Sequence, residues 1–170
     1  MPDFKTAIQA HETRVNELHK AVHETFAHRN ESQRKHDAWT LAARQFREQH
    51  SEIDDMCDAC LTNGLQNDPA LRQFAFDYLS VDPYYYRSGY FVEKLLRRVR
   101  KLRLTQTEKE ILQDLILRRI ENRALRNFRR ICNLIPLIES EGFRSRVSEQ
   151  ARSGNPDVRR RAEFTLGYFP

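Results

Sequence analysis

The chain has 170 residues, of which 39% are hydrophobic and 31% charged, and it contains only five glycines and six prolines. This composition excludes collagen-like, low-complexity and disordered chains, and so few breakers favour helices. No apolar run approaches the roughly 18 residues of a membrane span, and the first residues lack the apolar core of a secretory signal. Three cysteines fit a reducing compartment better than a disulfide framework. We therefore expect a cytoplasmic protein without membrane association.

The net charge of +5 conceals an asymmetry between the two halves of the chain. Residues 1–80 hold 9 basic and 13 acidic side chains, whereas residues 81–170 hold 20 and 11, so the halves carry −4 and +9. Seventeen of the 23 arginines follow position 80. Because the guanidinium group is a planar fork that suits carboxylates and phosphates, the second half is predicted to recognise an acidic partner.

The N-terminal region, residues 1–64, is predicted to be a helical hairpin. The second helix is expected to restart at Asn30, with Gln33 three residues on as in a capping box, and to continue past Ile53 to Gly64. Gly64 would take the left-handed conformation at the helix end. The stripe of the first helix recurs with helical spacing and consists of Phe4, Ile8, His11, Val15, Leu18, Val22 and Phe26.

The second region, residues 65–170, shows no strand-like alternation and is predicted to be helical throughout. Asp68 and Pro69 supply a cap and a first turn for a helix that ends near Val81. Gly154 and Asn155 would end one helix and cap the next. The later helices are expected from Tyr84 to Leu104, from a capping box of Thr107 with Glu110, through Leu125 to Ile135, from Gly142 to Arg152 and from Pro156 to Phe169.

One pattern occurs twice, and each copy follows a turn rich in Asn, Asp and Pro. Its small alanine lets a neighbouring helix approach closely. The two copies are Leu71-Arg72-x-x-Ala75-x-x-x-Leu79 and Val158-Arg159-x-x-Ala162-x-x-x-Leu166. The pattern resembles HEAT repeats, whose second helix typically reads Asp-x-x-Val-Arg-x-x-Ala-x-x-x-Leu-Gly. The likeness covers residues 51–80 and 142–169, and Ser80 replaces the final glycine in the first copy.

The resemblance implies an all-α fold in which the hairpin packs on a short, HEAT-like α-solenoid. Such solenoids serve mostly to bind other macromolecules. The two regions would then form one continuous domain. The last helix lacks an obvious polar cap, which favours a homo-oligomer formed through that C-terminal helix.

Cys57 and Cys60 form the only Cys-x-x-Cys pair, and it lies inside a predicted helix. Without a second cysteine pair to complete a tetrahedral site, we interpret them as buried thiols. A Cys2His site that includes His50 is the alternative.

His19 and His23 lie one helical turn apart, but Lys20 stands where a zincin would carry its catalytic glutamate, so a solvated helix face is the preferred interpretation. No phosphate-binding loop, nucleophile elbow or convincing pair of carboxylates occurs. Serine, histidine and aspartate are present, but no spacing gathers them. The sequence thus predicts neither an enzyme nor a cofactor nor a metal site.

The densest unusual segment spans residues 82–91 and reads Asp-Pro-Tyr-Tyr-Tyr-Arg-Ser-Gly-Tyr-Phe. Tyrosine and arginine often anchor interfaces, although these rings would equally serve as wedges between helices. Downstream arginines recur at helical spacing and would form basic stripes. The candidate binding residues are Tyr84, Tyr85, Tyr86, Arg87, Arg97, Arg98, Arg100, Arg103, Arg119, Arg123, Arg126 and Arg130.

These residues predict an adaptor whose basic surface binds an acidic protein partner, with the tyrosine segment as its anchor. DNA or RNA binding is the alternative, because the same stripes would follow phosphates and the tyrosines would stack on bases. HEAT-like folds also include DNA glycosylases, but the single tryptophan, Trp39, lies in the hairpin. A competing interpretation pairs the basic surplus internally with the hairpin carboxylates of Glu52, Asp54, Asp55 and Asp58.

Overall fold

A computed structural model describes residues 3–62, 64–122 and 127–170. Within these ranges it contains ten α-helices and no strand, which confirms the all-α prediction. No helix in the described ranges is both long enough and apolar enough to cross a membrane. The helices are α1 (Phe4–Phe26), α2 (Gln33–Glu48), α3 (Glu52–Thr62), α4 (Pro69–Val81), α5 (Ser88–Val99), α6 (Gln106–Asn122), α7 (Phe128–Cys132), α8 (Ile135–Ile138), α9 (Glu141–Gln150) and α10 (Pro156–Leu166).

Helices α1 and α2 pack together as the expected hairpin. The prediction of one long second helix is wrong at its start and at its end. Its cap is Ser32 rather than Asn30, because the Ser32 side chain accepts a hydrogen bond from the Lys35 amide. The helix also breaks after Glu48. A reciprocal cap starts α3, in which Ser51 Oγ accepts from the Ile53 amide and the Ser51 amide donates to Asp54 Oδ2.

Other caps are partly as predicted. Asp68 caps α4 and Asn155 caps α10, each followed by proline in the first turn. The capping box of α6 lies two residues earlier than predicted, at Thr105 and Glu108. The left-handed glycines predicted at positions 64 and 154 are wrong, since no described glycine has a positive φ.

A single cluster of buried apolar side chains runs from Ile8 in α1 to Ala162 in α10. Helix α4 lies at its centre, with Phe74 and Tyr78 fully buried, and contacts α1, α3 and α6. Helix α6 continues the core towards α8, α9 and α10. The same cluster thus includes residues from both the hairpin and the second region.

The two copies of the repeated pattern both bury their alanines, Ala75 and Ala162, and both helices contact α6. Their arginines differ, because Arg72 forms an ion pair with Glu108 whereas Arg159 is exposed. The HEAT-like solenoid stays a prediction.

Candidate binding site

The loop between α4 and α5 begins and ends at residues with left-handed backbone. Asp82 has φ 53° and Arg87 has φ 69°. For residues other than glycine this conformation costs about 1–2 kcal/mol, so it persists where surrounding contacts impose it. At one end Asp82 forms an ion pair with Arg119, whose side chain is only 5% exposed. The loop is therefore held firmly in place.

Helix α1 holds the backbone of this loop at Tyr84. The Tyr84 amide donates to Glu12 Oε1 at 2.7 Å, and Asn16 Nδ2 donates to the Tyr84 carbonyl at 3.0 Å. Glu12 and Asn16 lie one helical turn apart, so they share one face of α1. The tyrosine loop, residues 82–87, is thus docked on the N-terminal hairpin.

The three consecutive tyrosines have different environments. Tyr85 faces inward, where its hydroxyl accepts from the Tyr78 hydroxyl at 2.7 Å and its ring meets the edge of His11 at 5.0 Å. Burial raises the pKa of both tyrosine hydroxyls well above the ordinary value. Tyr84 and Tyr86 are 52% and 48% exposed. The segment therefore contains both a structural wedge and exposed rings.

Exposed Tyr86 is part of an aromatic stack. Its ring lies against His19 with centroids 5.5 Å apart, and Phe46 meets it edge-on at 5.3 Å. The Arg87 guanidinium lies 5.2 Å from the Tyr86 ring centroid, within cation–π range. This stack orients an otherwise exposed ring.

Three clefts in the described part of the chain lie along α5. The α3 cleft, of about 710 Å³, lies between α3 and the loop and includes Asp54, Asp58, Arg87 and Lys94. The tyrosine cleft, of about 400 Å³, lies between α1 and the other side of the loop. The basic cleft, of about 590 Å³, lies at the far end of α5 and is lined by Gly64, Leu65, Gln66, Arg97, Arg98, Lys101, Leu102 and Arg103.

One cationic stripe connects the α3 cleft with the basic cleft. Lys94, Arg97, Arg98 and Lys101 are spaced three and four residues apart and so share one face of α5 and the turn after it. Arg98 donates a hydrogen bond to the carbonyl of Leu61, which lines the α3 cleft. The two clefts thus lie along the same face of α5, and we refer to them together as the α5 groove.

The structure brings only some of the predicted arginines together. Arg97, Arg98 and Arg103 line the basic cleft, whereas Arg100 is exposed outside the three clefts. Arg130 lies beside α5, because it shares Glu93 Oε1 with Arg97, at 3.5 Å and 2.8 Å. Positions 123 and 126, both predicted binding arginines, lie outside the described residues.

Arg119 is not part of an exposed basic stripe, which corrects the sequence-based expectation. It is 4% exposed overall and pairs with Asp82, and its Nε and Nη1 atoms are buried without a hydrogen-bond partner. The spacing correctly grouped Arg119 with a face of α6, but that face packs against the rest of the protein. Its role in the described structure is to hold the tyrosine loop.

In the described part of the chain, the arginines of the second region are not neutralised by the carboxylates of the N-terminal hairpin. There, no ion pair joins an arginine after position 80 to the acidic cluster of α3, and Asp54 and Asp55 instead lie near His11 and His50. The late arginines with ionic partners use carboxylates of the second region, namely Asp82, Glu93, Asp114 and Asp157.

Sequence reasoning missed a cluster of Ser51, His11 and Asp54. Ser51 Oγ lies 2.9 Å from His11 Nδ1 and 3.0 Å from Asp54 Oδ2, and His11 Nε2 lies 3.7 Å from Asp54 Oδ1. The residue types are those of a hydrolase triad, but Ser51 Oγ also caps α3 and lies outside the three clefts. We interpret the cluster as a helix cap. The spacing of Ser51 and Asp54 was its only local signal.

The cysteines are free, and their thiols are poorly suited to redox or metal chemistry. Burial raises the pKa of Cys60 to about 12 and that of Cys132 to about 11, and it raises the pKa of Cys57 further. Thiols with such pKa values remain protonated near neutral pH. Among the described residues, no group of three or more His, Cys, Asp or Glu side chains is placed to hold a metal ion.

His19 and His23 contact each other on α1, where His23 is exposed, as the interpretation as a solvated helix face predicts. Their Nε2 atoms lie 3.2 Å apart, so one ring donates a hydrogen bond to the other. His19 also contributes to the aromatic stack beneath Tyr86. The pair therefore helps to shape the edge of the tyrosine cleft, which His19 lines.

The chain was compared with protein-family models, curated proteins and solved structures, and none of them matches it.

Proposed function

We propose that this protein is a non-enzymatic binding protein that holds an acidic stretch of a partner protein in the α5 groove. The observation that carries the proposal is the lining of the basic cleft. Four cationic side chains converge there, and the described residues that complete the lining are neutral. Because guanidinium forks match carboxylates in geometry as well as charge, this end of the groove suits Asp and Glu side chains.

The mixture of charges in the groove favours a protein over a nucleic acid. Asp54 and Asp58 line the α3 cleft together with Arg47, Arg87 and Lys94, whereas the charged side chains that line the basic cleft are all cationic. A phosphate backbone carries the same charge at every step, so its course along the groove would meet repulsion at the two aspartates. A peptide can place acidic residues at one end and basic residues at the other.

The groove also offers apolar contact area beside its charges. Tyr86 and Tyr90 line the α3 cleft and are about half exposed. Large rigid rings lose little conformational entropy on burial, so they would contribute affinity, while the charges would mainly raise the association rate. We therefore expect binding that weakens with added salt but does not vanish.

The test uses a fluorescein-labelled peptide with a glutamate block followed by a lysine block, and it measures anisotropy at about 50 mM and about 200 mM NaCl. The variant Arg97→Ala/Lys101→Ala removes two charges from the groove. Affinity at low salt should fall by roughly twofold to thirtyfold, because each exposed ion pair contributes about 0.2–1 kcal/mol.

The matched control is Arg152→Ala/Arg159→Ala, which removes the same charge from exposed positions at the α9–α10 end. Its affinity for the peptide should stay near that of the unaltered protein. Equal losses in the two variants would show that net charge alone attracts the peptide and would overturn the proposal. Tighter binding of a single-stranded oligonucleotide, lost in the groove variant, would instead support the nucleic-acid alternative.

A further inference from the structure

The tyrosine cleft adjoins the α3 cleft, with which it shares Tyr86, Arg87 and Tyr90. Tyr84, Tyr86 and Tyr90 line it, and each is about half exposed. Its volume of about 400 Å³ falls within the range of small-molecule pockets, roughly 300–1,000 Å³. The cleft is open to solvent and presents exposed aromatic faces along its walls.

Asn127 adds a polar group that lacks a partner. It lines the cleft, is only 3% exposed, and its Nδ2 atom has no hydrogen-bond partner among the residues that the structure describes. Buried polar groups are almost always hydrogen-bonded, so an unused donor at a cleft wall indicates an acceptor on a ligand. Glu93 lines the same cleft; its Oε1 atom pairs with Arg97 and Arg130, so a ligand donor would use the second carboxylate oxygen.

We infer that the tyrosine cleft binds a nucleobase, stacked on a tyrosine ring, with an acceptor on the edge of the base facing Asn127. Every base offers a π-face to aromatic side chains, and its edge carries donors and acceptors side by side. An amide donor and a carboxylate acceptor complement such an edge. A phenyl group would fill the space but would leave the amide of Asn127 without a partner.

A basic side chain is placed for the phosphate of a nucleotide. Arg87 lines the tyrosine cleft and lies over the Tyr86 ring. The ligand class is therefore a nucleotide, which would come either free in solution or as part of a single strand. This inference does not depend on the peptide proposal, because it rests on Asn127 and on different ligand chemistry, although Tyr86, Arg87 and Tyr90 line both clefts.

Gly89 allows the cleft to be blocked without damage to the fold. It lines the cleft at the second position of α5, and a Cβ atom added there would meet nothing within 4 Å. Because glycine is a poor helix former, Gly89→Leu should leave thermal stability unchanged or higher. Gly142 is a matched control, since it holds the second position of α9 and also faces open space.

The experiment measures binding of AMP, CMP, short oligo(dA) and N-acetyltyrosinamide by ligand-observed NMR, together with the thermal midpoint of each variant. At least one nucleotide probe should bind the unaltered protein. Gly89→Leu should weaken that binding about tenfold or more, an amount comparable to the loss of one stacked base. Asn127→Leu should weaken it as well, and Gly142→Leu should not.

Binding of mononucleotides in preference to oligo(dA) supports a free nucleotide, and the reverse preference supports a single strand. Either result, with the loss confined to the cleft variants, supports the inference. It is overturned if no nucleotide binds, if Gly142→Leu loses as much affinity as Gly89→Leu, or if N-acetyltyrosinamide binds as tightly with the same dependence on Asn127.

Discussion

His11 Nδ1 lies 2.9 Å from Ser51 Oγ, although 40 residues separate them. The contact ties α1 to the first turn of α3, where Ser51 caps the helix. His11 also supports the Tyr85 ring, so one buried imidazole contacts both the cap and the tyrosine loop. A histidine in the apolar stripe of α1 thus joins three parts of the fold.

This histidine should make stability depend on pH. Burial lowers the pKa of His11, although Asp54 partly offsets the effect. The unfolded chain therefore takes up a proton more readily below pH ~6.5, and the free energy of unfolding should fall as pH drops, by at most about 1.4 kcal/mol per pH unit. In His11→Asn, which cannot titrate, urea denaturation at several pH values should show a smaller slope.

His50 serves as a control because its effect on the pH dependence of stability should have the opposite sign to that of His11. Its exposed ring bonds to Asp55, and that bond raises the pKa of His50, so the folded chain holds the proton more readily. Its contribution to stability is present at low pH and is lost as pH rises through the folded pKa. His50→Asn should therefore steepen the loss of stability in acid. An unchanged slope in His11→Asn would contradict the role assigned to His11.

The cap of α6 can be tested with two neighbouring threonines. Thr105 accepts from the Glu108 amide and donates its own amide to Glu108, whereas Thr107 lies exposed within the helix. Thr105→Ala should lower the free energy of unfolding by about 1 kcal/mol, and Thr107→Ala should leave it unchanged or slightly higher. Urea denaturation followed by circular dichroism measures both. A larger loss of stability in Thr107→Ala than in Thr105→Ala would show instead that Thr107 caps the helix, as the sequence predicted.

The paired hydroxyls of Tyr78 and Tyr85 should behave as a coupled unit. Tyr85→Phe leaves the fully buried Tyr78 hydroxyl without its acceptor, at a cost of about 1–3 kcal/mol. Tyr78→Phe should lower the free energy of unfolding by less. Tyr85 lines two clefts, so water can replace the lost partner of its hydroxyl. The double variant should lose less stability than the sum of the single losses. Strict additivity in this cycle would show that the hydroxyls do not interact.

Replacement of Asp82 should destabilise the protein through both backbone and charge. Asp82→Ala puts alanine, which tolerates the left-handed conformation less well than aspartate, at φ 53° and leaves Arg119 buried without its carboxylate, a loss of about 3–5 kcal/mol. Asp82→Gly removes the carboxylate but has no Cβ to strain the left-handed backbone, so it should be about 1 kcal/mol milder. Equal losses in Ala and Gly variants, measured by denaturation, would exclude a backbone contribution.

Much of the fold follows from neighbouring residues. The stripe from Phe4 to Phe26 predicted α1 with its observed ends, and the Asp68-Pro69 and Asn155-Pro156 pairs predicted the starts of α4 and α10. These signals are local, because helical periodicity and capping involve residues only a few positions apart. The break before α3 escaped prediction, since the apolar spacing continues across it.

The features of the candidate site also fall into those that the sequence predicted and those that only the structure shows. Tyr84–Tyr86 and the α5 cations were recognisable by residue type and spacing, whereas the inward turn of Tyr85, the burial of Arg119 and the cluster of His11 with Ser51 were not. Each of these depends on a side chain from a distant helix: Tyr78, Asp82 or α1. Periodicity reports which residues share a helix face, but packing between helices sets which face is buried and which charges meet.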